Sequence, residues 1–143
     1  MKIGFTGTRK GTTCEQHHAL CEYVKNLPDA AEWHHGCCVG ADAESVEIVE
    51  QWSRRCEIIA HPPDNNAMVS RITLEFAKRV EPALPYLERN RAIVNACDTL
   101  VACPEGINEE QRSGTWSTVR FARKQKKRIV IVYPDGAITQ ENP

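Results

Sequence analysis

Residues 99–133 read TLVACPEGINEEQRSGTWSTVRFARKQKKRIVIVY. Two runs in this stretch, Thr99–Cys103 (TLVAC) and Ile129–Tyr133 (IVIVY), are short, apolar and rich in β-branched residues. Neither alternates polar with apolar, which is the pattern of a strand covered on both faces. Between them lie a polar loop, Pro104–Arg112, and a segment opened by Ser113-Gly114-Thr115 that reads as a helix to about Lys127. A strand, a helix and a second strand in that order imply a crossover connection, and therefore parallel strands.

The same rhythm extends toward the N-terminus. Lys2–Gly7 (KIGFTG) reads as a strand ending in a Gly turn. A helix follows from Thr13, with Ala19, Leu20, Tyr23, Val24 and Leu27 at helical spacing, and Pro28 stops it. Glu32–His35 is a second strand, cut by Gly36. Ala41–Arg55 is a second helix through Val46, Val49 and Trp52, with Trp52 assigned to the core. Glu57–His61 is a strand ended by Pro62-Pro63, and the connection Asp64–Ala83 has room for a helix over Met68–Val80. Pro85 then opens the helix PYLERNRAIVNA. The sum is an α/β fold, a single doubly wound, mainly parallel five-stranded sheet. The domain is expected over residues 1–136, with 137–143 as a C-terminal tail.

Length and charge narrow the functional classes. A chain of 143 residues can bury a core without disulfides or metal. Its 18 Lys and Arg against 19 Asp and Glu leave a net charge of -1, which argues against a generally basic nucleic-acid coat or a polybasic membrane binder. The start of the chain lacks the apolar stretch of a signal peptide, and no apolar run is long enough to span a membrane. Seven cysteines without an export signal read as reduced thiols, and the expected location is the cytoplasm.

In a doubly wound sheet ligands bind outside the carboxyl ends of the strands, so the loops there carry the functional signal. After the first strand comes Gly7-Thr8-Arg9-Lys10-Gly11-Thr12-Thr13, which offers a tight turn, hydroxyls and cations next to a helix N-terminus. It is neither a Walker A loop nor the dinucleotide fingerprint. After the second strand comes His35-Gly36-Cys37-Cys38-Val39-Gly40-Ala41-Asp42, with Asp42 at an N-cap or first-turn position. After the fourth, Ser113-Gly114-Thr115 opens a helix. Three Gly-bearing turns on one sheet edge point to an anion site.

The order of these motifs resembles the SLOG superfamily, which joins the DNA-processing protein A (Smf) domain to the LONELY GUY phosphoribohydrolases. The family's first G-x-R turn corresponds to Gly7-Thr8-Arg9, and its SGGA-x-GxD segment to the run from His35 to Asp42. Its RN/RK helix corresponds to Glu88-Arg89-Asn90-Arg91. The following D-x-hydrophobic strand and Gly-rich turn correspond to Cys97–Val101 and Ser113–Trp116. The resemblance covers Lys2 to Tyr133. It implies a SLOG-type Rossmann-like domain that binds a phosphate-bearing nucleotide or nucleotide-derived ligand, as a sensor or sequestering protein. The ligand-binding residues it implies are Gly7, Thr8, Arg9, Gly36, Cys37, Gly40, Asp42, Arg89, Asn90, Ser113, Gly114 and Thr115. It also suggests a homodimer or larger assembly.

The chain departs from the hydrolase pattern at one point. The LONELY GUY enzymes place a glutamate shortly after their Gly-Thr pair, and that position is Ser117 or Thr118 here. Neither can stabilise positive charge at a ribose C1′ as a carboxylate does. Arg89 matches the family's catalytic arginine, so half of the pair is present. The SGTWST run is closer to the DNA-processing branch. A phosphoribohydrolase or deoxyribosyltransferase with Glu105, Glu109 or Glu110 as a relocated carboxylate is the enzyme alternative, and a single-stranded DNA binder is the third reading.

Other features have simpler explanations. Cys14, His18 and Cys21 share a helix face near His34, His35, Cys37 and Cys38 in sequence, but the spacing matches no standard zinc motif, so neither a metal nor a cofactor is expected. The cationic run from Arg120 to Arg128 suits the C-terminal end of a helix better than a phosphate track. Trp116 is placed to flank a base or to pack in the core or at a dimer contact, and Asp98 reads as a turn residue.

Overall fold

A computed structural model describes residues 1–143. Six strands run parallel: β1 Lys2–Gly7, β2 Glu32–His35, β3 Glu57–Ala60, β4 Arg79–Val80, β5 Thr99–Cys103 and β6 Arg128–Val132. A seventh, β7 Ile138–Glu141, pairs antiparallel with β6. The order across the sheet is β4-β3-β2-β1-β5-β6-β7. The winding reverses between β1 and β5, whose register sets Ile3 against Thr99 and Gly7 against Cys103. The helices are α1 Cys14–Lys25, α2 Ala41–Trp52, α3 Ile72–Glu75, α4 Tyr86–Ala96 and α5 Gly114–Lys124. None is long and apolar enough to cross a membrane.

The expectation of five strands is corrected to seven. Both additional strands are edges, and main-chain bonds make them. In β4 only two residues pair, flanked by Lys78 N donating to Ile58 O and Glu81 N donating to Ala60 O, both at 2.8 Å. This strand, a 3-10 turn at Asn66–Met68 and the one-turn α3 replace the single helix expected over Met68–Val80. The segment read as a tail folds back as β7 through Pro134-Asp135-Gly136, where Gly136 takes φ +85°. Tyr133 N donates to Ala137 O at 2.8 Å across that turn. The carboxylate of Glu141 then accepts two hydrogen bonds from Arg123, at 2.8 and 2.9 Å, which ties β7 to α5.

Each face of the sheet has its own core. Beneath α1 and α2 lie Phe5, Leu20, Val24, Trp33, Val46 and Val49, with the rings of Phe5 and Trp33 stacked 5.5 Å apart. The indole N–H of Trp33 donates to Ser45 Oγ at 3.1 Å, so this buried polar group is satisfied. Beneath α4 and α5 lie Val94, Leu100, Trp116, Val119, Ile129 and Ile131. Trp52 is not in either core. It is 45% exposed, and the Lys25 ammonium sits 4.2 Å from its ring centroid.

α1 starts where Thr13 and Gln16 form a reciprocal capping box. The buried Gln16 side chain also donates to Pro104 O at 3.0 Å and Val132 O at 2.7 Å. The start of α1 is thereby fixed to the ends of β5 and β6.

Candidate functional site

The first loop is locked to the second by its backbone. Thr8 O accepts from Gly11 N at 3.2 Å and from Ala41 N at 2.9 Å, while Thr8 N donates to Cys103 O at 3.0 Å. Two glycines are required for this approach. A Cβ on Gly7 would lie 2.5 Å from Ala41 Cβ, and Gly40, at φ +85°, leaves no space for a side chain beside the Arg9 backbone. In α2, the Glu44 carboxylate accepts from the Thr12 amide at 3.0 Å and from the Thr12 hydroxyl, which holds the far end of the loop.

Asp42 lies in the first turn of α2 and is only 6% exposed. Its Oδ2 accepts from Cys38 N at 3.1 Å. Burial raises its pKa to about 6, and the Cys38 amide, the Arg89 guanidinium, the Gly36 amide and Arg9 offset part of that rise. The Cys38 thiol beside it is also pushed up by burial.

Arg89, on α4, is 5% exposed and bonded through Nε and Nη1, with Nη2 3.9 Å from Cys38 Sγ. Its Nη1 donates to Gly36 O and, at 3.4 Å, to His61 O; its Nε donates to Asn90 Oδ1 at 2.8 Å. A planar guanidinium can serve several carbonyls from one position, so Arg89 ties the β2–α2 turn to the end of β3. Arg9 by contrast is exposed. The Tyr86 ring carries both cations, with Arg9 at 4.9 Å and Arg89 at 5.3 Å from its centroid.

The third loop ends at the N-terminus of α5. Ser113 Oγ caps it by accepting from Trp116 N at 3.2 Å. A Cβ on Gly114 would meet nothing within 4 Å, so the approach to this helix end is open. Upstream, Lys10 Nζ and Glu105 Oε1 are 2.7 Å apart, joining the first loop to the third. Glu109 is held by Arg120 at 3.2 Å and Arg123 at 2.7 Å.

These loops enclose one crevice of about 440 Å³ at the carboxyl ends of β1 and β5. Gly7, Thr8, Arg9, Gly36, Asp42, Arg89, Asn90, Ser113, Gly114 and Thr115 all line it. Cys37 and Gly40 do not. Cys37 is buried with φ +66°, its amide donates to His35 Nδ1 at 3.1 Å, and burial pushes its thiol up to about 12. Its neighbour Cys38 reaches the crevice instead. Sequence reasoning also missed Tyr86 as a lining residue, although it stands three residues before Arg89 on the same helix face. Glu110, Arg112 and Trp116 complete the wall. The cationic run of α5 lies outside it, with Arg120 and Arg123 paired to acids and Lys127 Nζ donating to Cys97 O at 2.8 Å. No group of three His, Cys, Asp or Glu side chains is placed to hold a metal ion.

No protein-family model matches the sequence, and no curated protein matches it. Solved structures do. DNA processing protein A from Streptococcus pneumoniae superposes with a TM-score of 0.67 at 18% identity, over 91% of this chain and 49% of that one. The Helicobacter pylori protein, described for its single-stranded DNA binding mode, gives 0.62 at 19% identity over 92% and 64%. The molybdenum cofactor carrier protein from Chlamydomonas reinhardtii gives 0.62 at 21% identity over 91% and 75%. The chain shares its α/β fold with these structures, as the resemblance to the SLOG superfamily implied. This chain spans less than two thirds of each of the two DNA-processing structures. At these identities the likeness concerns the fold, and any activity must be argued from the crevice itself.

Proposed function

We propose that this SLOG domain binds a phosphate-bearing nucleotide or nucleotide-derived ligand in the crevice between the three loops. The observation that carries the reading is the open N-terminus of α5 at Gly114, lining the same crevice as the exposed Arg9. A helix N-terminus presents unpaired amides and a partial positive charge to an anion, and Arg9 adds a full charge. The volume suits a ligand of nucleotide size. Asp42, buried and acceptor-only when ionised, is the partner for a ribose hydroxyl. In this reading Arg89 positions the Gly36 turn and contributes field, while Arg9 makes the direct contact. The expected role is that of a sensor or sequestering protein, and assembly as a homodimer or larger belongs to the same proposal. Mass spectrometry of small molecules released from gently purified protein tests it: a co-purified nucleotide or nucleotide derivative is the expected result.

Two other readings have a specific observation behind them. Glu105 and Glu110 line the crevice, which keeps N-glycosidic cleavage by a relocated carboxylate testable. Glu109, tied to Arg120 and Arg123, does not. The DNA-processing neighbours, one of them described as binding single-stranded DNA, support a phosphodiester backbone as a second class of ligand for Arg9.

A further inference from the structure

A second cavity, of about 470 Å³, opens on the sheet face that carries α4, beside β2, β3 and β4. Its wall holds a chain of three hydrogen-bonded side chains. Glu32 Oε2 lies 2.9 Å from His34 Nε2, and His34 Nδ1 lies 2.8 Å from His61 Nε2. The protons on this chain follow from its acceptor end. A carboxylate can only accept, so His34 carries its proton on Nε2 and presents a bare Nδ1. His61 must then donate from Nε2, which leaves the lone pair of His61 Nδ1 without a partner in the chain. The two imidazoles are 2% and 5% exposed and His61 lines the cavity, so its Nδ1 is an acceptor with no protein partner in a largely buried ring. Burial lowers the pKa of His34, and lowers that of His61 to about 4, so both rings are neutral at physiological pH.

The rest of the lining carries excess positive charge. Lys2, Arg79 and Arg89 face two carboxylates, Glu32 and Glu81. Arg79 commits its Nε to Glu81 at 2.7 Å, which leaves its terminal nitrogens free, and Lys2 stands a loose 4.0 Å from Glu32. A ligand here would place an anionic group on Arg79 and Lys2 and a hydroxyl hydrogen on His61 Nδ1.

We infer that this cavity is a second ligand site, distinct from the loop crevice, for a small anion that carries a hydroxyl group, such as a phosphorylated polyol. Arg89 lines both cavities and donates to His61 O at 3.4 Å, so the two sites share one side chain. The inference rests on the histidine chain and stands whatever the first crevice binds.

The test uses the full chain labelled with ¹⁵N in its histidine rings and glycerol 3-phosphate as the probe. Without the probe, His34 and His61 should both show the Nε2–H tautomer at neutral pH. Titration should move the His61 Nδ1 resonance in a saturable way at millimolar concentration. Propyl phosphate, which has the charge and no free hydroxyl, should bind at least about tenfold more weakly, because it leaves the imidazole unpaired. Arg79→Gln, on the exposed edge strand, should weaken binding by a similar factor and leave both tautomers unchanged. Gly114→Leu, in the first crevice, should leave the titration intact. A His61 resonance that does not move up to roughly 10 mM probe, an equal response to propyl phosphate, or a response retained in Arg79→Gln would each overturn the proposal.

Discussion

The Arg89 guanidinium fills the space that a side chain at Gly36 would need: a Cβ there would lie 2.8 Å from Arg89 Cζ. The pair fixes the turn that leads into α2, and with it the placement of Asp42.

Arg89→Ala should therefore destabilise the unliganded protein. It leaves His61 O without its side-chain donor and Gly36 O with only the weak Cys38 thiol, at a cost of about 2–4 kcal/mol. Arg89→Lys should recover only part, since an ammonium lacks the fork that reaches both carbonyls. Gly36→Ala should cost about 1–3 kcal/mol by pushing the guanidinium away. Urea midpoints measure all three, and an Arg89→Ala midpoint equal to wild type would show that the arginine is no structural tie.

The pH dependence of stability should separate into two opposing parts. Asp42 has a folded pKa of about 6, above its ordinary 3.8, so the folded state binds this proton more tightly than the unfolded chain. Its contribution is fully present below about pH 4 and is lost as pH rises through about 6, a difference of about 3 kcal/mol. His61 and His35 run the other way. Their folded pKa values fall to about 4 and about 3, so their contribution is present above about pH 6.5 and is lost as pH falls through those values. Asp42→Asn should remove the first part only: the variant should gain on wild type at neutral pH and lose that advantage near pH 4. Chemical denaturation across that range checks the sign.

Nucleoside monophosphates should not be hydrolysed. The resemblance puts Ser117 or Thr118 at the position of the hydrolases' glutamate, Lys10 engages Glu105, and Glu109 is tied to two arginines. Loss of one such catalytic group commonly costs 10²-fold or more, roughly 3 kcal/mol. Chromatographic detection of free base is the assay. Steady base release that disappears in Glu110→Gln would make the protein an enzyme with a relocated carboxylate.

Single-stranded DNA should bind weakly at physiological salt, and what binding there is should depend on Arg9. The basic end of α5 lies outside the crevice with its arginines paired, so neutralising Lys124 and Lys126 should change affinity little. Salt titrations of Arg9→Ala and of the double lysine variant distinguish these contributions.

The central strands were legible because burial on both faces leaves an uninterrupted apolar run, as in Thr99–Cys103. The edge strands were not. β4 pairs through two residues, and β7 exposes Ile138, Thr139 and Gln140 on a polar edge, so neither carries a periodic signal. Trp52 was misplaced for a related reason. Successive steps of three residues from Val46 to Trp52 rotate the helix face by about 120°, enough to bring the ring to solvent. At the site, the turns were readable because glycines and caps are local signals. The engagement of Arg89 was not, because its carbonyl partners lie 53 and 28 residues away in sequence.

The central claim is that an anionic nucleotide group sits on the open end of α5. The direct measurement is the affinity of wild type and Gly114→Leu for a nucleoside monophosphate by titration calorimetry. Position 114 has free space around its Cβ, so the variant should fold with a melting temperature close to that of wild type. Its side chain would cover the helix amides, and affinity should fall at least about tenfold, or 1.4 kcal/mol. Equal affinity in the two proteins, with the variant folded, would contradict the account.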